Sequence, residues 1–480
     1  MLRPEPTPRG LLRQGARAAL VALALWALPV RAEDRSLTDL TIPQLQRLAT
    51  ALATAGQDAA ALRVTEVLLL RTPDDPLGHY VVGLVMLRAG QTQVARIASR
   101  RSFAAAGTER QHYEAARLAA KVAVADHRWI NAQYWARQTI QYAPDTRYRD
   151  LAVQDFKQLR AISPLDWGLR LGLRPSNNAN GGADERLNII DGYDAVGYLS
   201  DDAMALPGLV GTASFDIGYR LGRTPDSETR IGLSTYVRAV ELEGHPVALP
   251  PPGSPPGSEP TEISNADYSA AALGISLTHN RALGGYGLGA KLSVGQVWQG
   301  GDAAYHYAGL DLNGARRLGT GPTAPRLSFG ISAEARARDD AARTDVRRTL
   351  SLGYAQPVNS GRITAGVTLS ALHSGLDNAR YWSVSGTVQY EPDLRLGPLA
   401  VSVGAGLSRT VYPDYTVLIF HPDGGRQDNT VFAELGLWAP ALSYAGFAPE
   451  LKLQTVVTDS NISRFESNEI AVAVGLRSTF

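Results

Sequence analysis

From Leu165 to the C-terminus, apolar and polar residues alternate with a period of two. Leu327, Phe329, Ile331, Ala333, Ala335 and Ala337 interleave with Ser328, Gly330, Ser332, Glu334, Arg336 and Arg338. The same dyad runs through Ile363 to Ala371, Val401 to Leu407, Val431 to Ala439, Leu451 to Val457 and Ile470 to Phe480. Successive side chains of a strand point to opposite faces, so each segment has one apolar and one polar face. Turn signals divide the region into fourteen predicted strands, near 165–174, 209–222, 228–241, 267–280, 285–298, 303–317, 325–338, 344–355, 361–373, 379–391, 398–412, 429–439, 447–458 and 467–480. An even count returns both ends to one side, and most segments reach the roughly 9–11 residues that cross a bilayer on a tilt. Short connections (224–227, 279–284, 356–360) contrast with long ones (175–208, 242–266, 413–428). That asymmetry is expected of a transmembrane barrel. The competing reading is a water-soluble β-sandwich, whose apolar faces would meet in a core.

Composition narrows the choice. The 480 residues are 44% hydrophobic with a mean hydropathy of −0.12. After the first thirty there is no apolar run long enough for a spanning helix, which excludes a polytopic helical membrane protein. Lys and Arg number 47 against 46 Asp and Glu, so the basic excess expected of a nucleic-acid binder is missing. With no Cys, a disulfide framework, a thiolate metal site, a Cys nucleophile and lipidation of the chain's own N-terminal Cys are all excluded.

Residues 1–32 read as a secretory signal peptide: Arg3, Arg9, Arg13 and Arg17 precede an apolar stretch from Ala18 to Val30, and Val30-Arg31-Ala32 offers a cleavage site. An uncleaved anchor is the other reading, but about a dozen apolar residues fall short of the ~20 needed to span. Cleavage would remove five Arg and one Glu, taking the formal charge from +1 to −3.

Residues 33–160 carry apolar residues at helical spacing, as in Leu45, Leu48 and Leu52, and repeat. Ala55-Gly56-Gln57 recurs 34 residues later as Ala89-Gly90-Gln91, the tetratricopeptide period. Ala61 and Ala95 share the small packing position, Gly83 precedes Gly90 by seven, and Pro73 and Pro144 close units. A generic helical bundle is the alternative, since the large aromatics of the consensus are mostly absent. Such an array would either hold an extended partner segment or pack against the next domain. Arg96, Arg100, Arg101, Arg110 and Arg117 could meet an acidic partner or form a solvated face.

Catalytic patterns are weak. His245, His279, His306, His373 and His421 fall at strand ends or in loops, outside any nucleophile motif. Gly285-x-Gly287-x-Gly289 lies within a strand, and Asp423-Gly424-Gly425 with Asp428 lacks EF-hand spacing. No enzymatic function and no cofactor are expected. Lys291, Glu334, Arg336, Glu434 and Lys452 fall on the polar face and are expected to line a lumen.

A signal peptide, a short helical-repeat domain and a fourteen-stranded barrel together resemble the Slam family, the surface lipoprotein assembly modulators of Gram-negative bacteria. Trp167 to Arg174 is followed by Pro175-Ser176-Asn177-Asn178-Ala179-Asn180, similar to the Pro-Asp-Ser-Asn-Ile-Asn stretch after that family's first strand. Pro175, Asn178 and Asn180 match, whereas Ser176 stands for Asp, Asn177 for Ser and Ala179 for Ile. Leu476 and Phe480, closing an amphipathic last strand, resemble the signal read by the barrel assembly machinery. The expected fold class is therefore α + β multidomain, with N-terminal tetratricopeptide-like helices (33–160) and a C-terminal fourteen-stranded antiparallel barrel (165–480). The resemblance implies an outer-membrane protein whose helical domain lies in the periplasm. It implies delivery of client lipoproteins or secreted proteins to the cell surface, driven by client folding outside rather than by a nucleotide. The barrel assembly machinery and outer-membrane lipid are the other expected partners, with no nucleic acid. A porin or an exopolysaccharide export channel is the alternative.

Overall fold

The computed structural model describes residues 37–193, 197–244, 246–249, 257, 259–338, 343–444 and 446–478. The expected signal peptide, His245 and Phe480 lie outside these residues. The chain divides into two compact units, residues 1–127 and 128–480.

In the first unit, α1 (Ile42–Thr54) and α2 (Asp58–Arg71) are followed 34 residues later by α3 (Pro76–Arg88) and α4 (Thr92–Ala105), and then by α5 (Glu109–Ala125). The repeated Ala-Gly-Gln turns explain the matching lengths. Gly56 and Gly90 take φ of 77° and 73°, the left-handed conformation that ends a helix. Around the first, Gly56 N–H donates to Ala53 O and Gln57 N–H to Leu52 O; Gly90 and Gln91 repeat the pattern with Leu87 and Met86. Helix α3 starts on Pro76 behind Asp75, whose carboxylate accepts from Gly78 N–H at 2.7 Å. Leu45, Ala49, Ala61, Leu68, Val81 and Val85 form the core of the first two pairs, with Ala61 fully buried at the expected small position. Ala95, Leu118 and Val122 continue that core toward α5. A Cβ on Gly83 would lie 3.0 Å from Leu118 Cδ2 and 3.3 Å from Ser99 N, so helices α3, α4 and α5 close on a bare backbone there.

The second unit begins with α6 (Trp129–Gln141) and α7 (Thr146–Ile162) and continues into the barrel. Its fourteen wall strands are β1 (Leu165–Ser176), β2 (Gly208–Arg223), β3 (Ser227–Leu242), β4 (Ala270–Leu283), β5 (Tyr286–Gln299), β6 (Asp302–Arg317), β7 (Arg326–Arg338), β8 (Arg343–Val358), β9 (Gly361–His373), β10 (Tyr381–Pro392), β11 (Leu399–Tyr412), β12 (Arg426–Trp438), β13 (Phe447–Ser460) and β14 (Ser467–Ser478). Each pairs antiparallel with its neighbours in sequence, and β14 pairs back to β1, so the sheet is closed. A sandwich would leave sheet edges, and this sheet has none. The exposed apolar set lies on the outer face, including Leu312, Ile331, Leu352, Val367, Leu407 and Val431. Exposure of that many large apolar side chains fits a wall meeting hydrocarbon.

Helix α7 runs into β1 through Ser163 and Pro164, at the barrel end that also carries the short turns. Its last turn is tied down by Arg223, which donates to Ala161 O at 2.7 Å. The opposite end carries the long loops. Ala179, Val210, Val240, Leu242 and Ile263 pack together there, and Ile190 and Ile462 are fully buried where two loops meet. Asp201 clasps this roof, pairing with Arg186 and accepting from Leu249 N–H at 2.7 Å. The Leu249 N–H and Arg186 hold its carboxyl below the usual range.

Two outcomes follow. Replacing Gly83 with Val overpacks the α3–α4–α5 contact, and urea melts of the full chain followed by helical circular dichroism should show a loss of about 1–3 kcal/mol. Because the Asp201 pKa is lowered in the fold, its contribution is complete above the ordinary value of 3.8 and is lost as pH falls through the lower folded value. Proteolysis of the 243–249 segment should therefore accelerate only in strong acid, whereas Asp201→Asn should accelerate it at neutral pH.

Candidate functional site: the strand seam and the polar lumen

The polar positions of the strands share the inner face. The clearest witness is Arg477 on β14, which pairs with Glu391 on β10 at 3.2 Å although β11, β12 and β13 lie between them along the wall. With strands about 4.8 Å apart, that contact can only cross the interior. Arg477 also meets Glu450 on β13 at 3.5 Å. Two residues further along the inner face of β13, Lys452 lies 3.4 Å from Glu434 on β12, and Gln454 donates to Glu434 at 2.8 Å. Glu334 and Arg336 on β7 pair at 2.7 Å, with the Arg336 guanidinium 5.1 Å from the Tyr305 ring. Lys291 stands in register between Thr278 and Asp311. The structure thus joins four of the five expected lumen residues in two separate ion pairs, and does not bring all five together.

The Pro175–Asn180 stretch builds the long-loop end of the β1–β14 seam. Ser176 Oγ donates to Glu469 at 2.7 Å, and Arg174 pairs with the same carboxylate at 2.7 Å. Asn177 takes the place of a strand residue: its side-chain oxygen accepts from Ile470 N–H at 2.8 Å and its amide donates to Asn468 O at 3.1 Å. Asn178 closes a turn with Gly182, donating to Gly182 O and accepting from Gly182 N–H, both at 2.8 Å. Asn180 reaches across the loop, donating to Met204 O at 2.7 Å and accepting from Leu206 N–H at 2.8 Å. Pro175 sits on β1 opposite Leu209 of β2. These positions are architectural: they stitch the seam and fold the first long loop over it.

Strands β1 and β14 are held in register at Gly172–Gly475, Leu173–Val474 and Ser176–Ala471. Two hollows lie beside this seam. One, of about 410 Å³, is apolar and lined by Leu171, Leu173, Val237, Val474 and Leu476. The other, of about 560 Å³, is charged and lined by Arg170, Glu391, Glu450, Lys452 and Arg477, with Gln133, Arg137 and Arg160 from the two helices. Leu476 borders both.

Alternation gave no warning of Arg137. Its guanidinium lies 4.9 Å from the Phe156 ring of α7 and 4.5 Å from Phe447 at the start of β13, joining the helices to the barrel rim. Burial, reinforced by Arg160, pushes its pKa down to about 10. A cation one helical turn after Gln133 on α6 was the available signal, since Gln133 donates to Leu165 O at 3.0 Å on the adjoining strand.

The remaining motifs stay apart. His279 bonds Thr229 at 2.9 Å in a strand pair, and His306, His373 and His421 lie on β6, at the end of β9 and in the 413–425 loop. Gly285 belongs to a tight turn with φ of 82°, whereas Gly287 and Gly289 lie in β5. Asp428 is occupied by Arg426 at 2.6 Å and Ser460 at 2.8 Å.

Replacing Asn177 with Ala removes both of its bonds to β14. Hydrogen exchange should report faster opening of the Ile470 amide, by roughly tenfold for about 1.4 kcal/mol lost, while β6 and β7 stay unchanged.

Residues 340–480 match the family described as surface lipoprotein assembly modifier. No curated protein matches the chain. Among solved structures, Pseudomonas putida OprB at high pH is 9% identical, with 68% of this chain and 96% of that one aligned at a TM-score of 0.35. The anion-selective porin from Comamonas acidovorans is 10% identical, aligned over 66% of this chain and 100% of its own at 0.34. A bacterial polysaccharide outer membrane secretin is 10% identical, aligned over 65% and 98% at 0.32. The matched span covers strands β8 to β14, half of a closed fourteen-stranded outer-membrane-type barrel preceded by helices. Over that span the chain is similar to the surface lipoprotein assembly modifier family.

Proposed function

We propose that this protein delivers specific lipoproteins, or secreted proteins, from the periplasm to the cell surface, its helical domain (33–160) receiving the client and its barrel forming the conduit. The observation that carries this reading is the family match over 340–480 in a chain that also closes a fourteen-stranded barrel. The helix-bearing end is assigned to the periplasm, because short turns cluster there and long loops at the other end. Two helix pairs at a 34-residue offset support a tetratricopeptide-like receiving surface. Outer-membrane lipid meets the exposed apolar wall, and the barrel assembly machinery reads the last strand through Leu476 and Phe480. No enzymatic step or cofactor enters this reading.

Passive diffusion is the second reading. Against it stands the Arg477–Glu391 pair, which bridges the lumen near the helix-bearing end and narrows such a path.

Surface proteolysis of intact cells, read by mass spectrometry of lipidated proteins, tests the proposal. At least one lipoprotein should be shaved when the full chain is present and protected when it is absent. An identical shaved set in both cells would exclude the delivery role.

A further inference from the structure

We propose that the outer wall of the barrel holds one anionic phospholipid in a specific site, its acyl chains in a hollow across β5 to β12 and its phosphate at Arg316 and Arg281. Contact with lipid requires only that a wall be apolar. This stretch is also concave, and it carries charge at one end.

The hollow, of about 1030 Å³, is lined almost wholly by apolar side chains. It lies at the upper end of the roughly 300–1,000 Å³ that small-molecule sites occupy. Its course follows from register. One outward row runs from Gly314 on β6 through Phe329, Leu352 and Gly386 to Val431 on β12. Gly314 lies close to the end of β6 at the helix-bearing rim, whereas Val431 lies in the middle of β12. The row therefore climbs from the rim into the hydrocarbon as it crosses the wall, which is the path of an acyl chain leaving its headgroup. Small residues make the floor. A Cβ on Gly386 would meet nothing within 4 Å, and Ala365 and Ala405 line the same hollow. The Phe329 ring lies over Gly314, where a Cβ would collide with it, and Leu407 and Val431 stand exposed along the other end.

The rim supplies the charge. Arg316 stands opposite Tyr286, donates to its hydroxyl at 2.8 Å and lies 4.8 Å from its ring centroid. Arg281 on β4 faces Leu288 of β5, which faces Gly314, so Arg281 extends the same outward row. With only β5 between their strands, the two arginines are about 10 Å apart across the sheet. Neither forms an ion pair among the described residues, and no Asp or Glu takes an outward position near them on β4 to β7. One arginine at a membrane rim can reach water without a ligand. Two unpaired ones at the mouth of a groove leading inward match a phosphate with its chains, because the guanidinium fork donates to phosphate oxygens. Tyr286 adds the amphipathic ring that favours headgroup level. A second copy of the chain docked on this face would bury both guanidinium groups with no counter-charge from these strands. Lipid A also carries phosphates, but the orientation proposed above puts this rim in the phospholipid leaflet. Only that choice of leaflet rests on the proposed function.

Native mass spectrometry of the full chain in detergent with dioleoyl phosphatidylglycerol should show one retained lipid. Dioleoyl phosphatidylcholine, whose choline offsets the phosphate, should be retained roughly tenfold less. Phosphatidylglycerol should fall by a similar factor, about tenfold, in R281Q/R316Q and in G386F, which fills the hollow. Variant R348Q, altered on the outward face of β8 nearer the long loops, should retain it like the unaltered chain. Equal retention by all variants, preference for lipid A, or a dimer that forms without lipid and excludes it would overturn the site. The unaltered chain in nanodiscs gives a reading that no misfolded variant can blur. Phosphatidylglycerol bearing a diazirine on its acyl chain should label 327–329, 352–354 and 386–388 above the rest of the wall, and even labelling overturns the proposal. Lipoprotein display in cells is scored separately, so loss of this site leaves the delivery reading standing.

Discussion

Backbone hydrogen bonding in hydrocarbon governs this structure. A lipid-facing N–H or C=O has no water to turn to, so a strand in the wall must be paired along its length on both edges. Thirteen of the fourteen strand interfaces satisfy this with long registers among the described residues, and the fourteenth, β1 against β14, closes the sheet. Closure forces the alternation in turn. Once the wall is closed, every second side chain points at lipid and every other one at the lumen, so Leu312 and Ile331 go out while Asp311 and Ser332 go in.

The inward positions carry the electrostatic consequence. Charges inside a narrow barrel are partly desolvated, and each is stabilised by a nearby counter-charge or costs free energy. Glu434 answers Lys452 across adjacent strands, and Glu391 answers Arg477 across the interior. The pairs use charge to fill the lumen where a water-soluble barrel of this size would need apolar bulk. At the helix-bearing end Arg160 of α7 pairs with Asp166 at 2.8 Å and Arg170 of β1 with Asp216 at 2.7 Å, so the basic side chains there are answered as well.

Much of the wall was legible in the sequence, since period-two patterning and turn residues report directly on which face a side chain takes. The predicted 361–373 strand is β9, and the predicted 303–317 strand is β6 within one residue. Errors gather at the long loops: β12 begins at Arg426 rather than 429, because Asp428 at its end is tied to Arg426 and Ser460, and polar ends look like loop. The lumen pairs were legible as faces but not as partners, because partnership across the interior depends on barrel diameter rather than on neighbours. The seam stitch was legible only as a run of Asn and Ser. Nothing in that run announces that Asn177 bonds β14, nearly three hundred residues away.

The division of the chain carries the last step. The helices α6 and α7 read as a continuation of the repeats, yet they belong to the barrel's unit. Arg137 explains why: it lies between the Phe156 and Phe447 rings, so α6, α7 and β13 share one contact. Arg160 pairs with Asp166 at 2.8 Å, and Asp166 also meets Arg230 at 3.3 Å, which fastens α7 to the first residues of β1 and to β3. A displacement of α7 is therefore passed to β1 and β3. The same two helices supply Gln133, Arg137 and Arg160 to the charged hollow beside β1. One short segment thus fastens the first strands of the barrel and lines the charged hollow beside them.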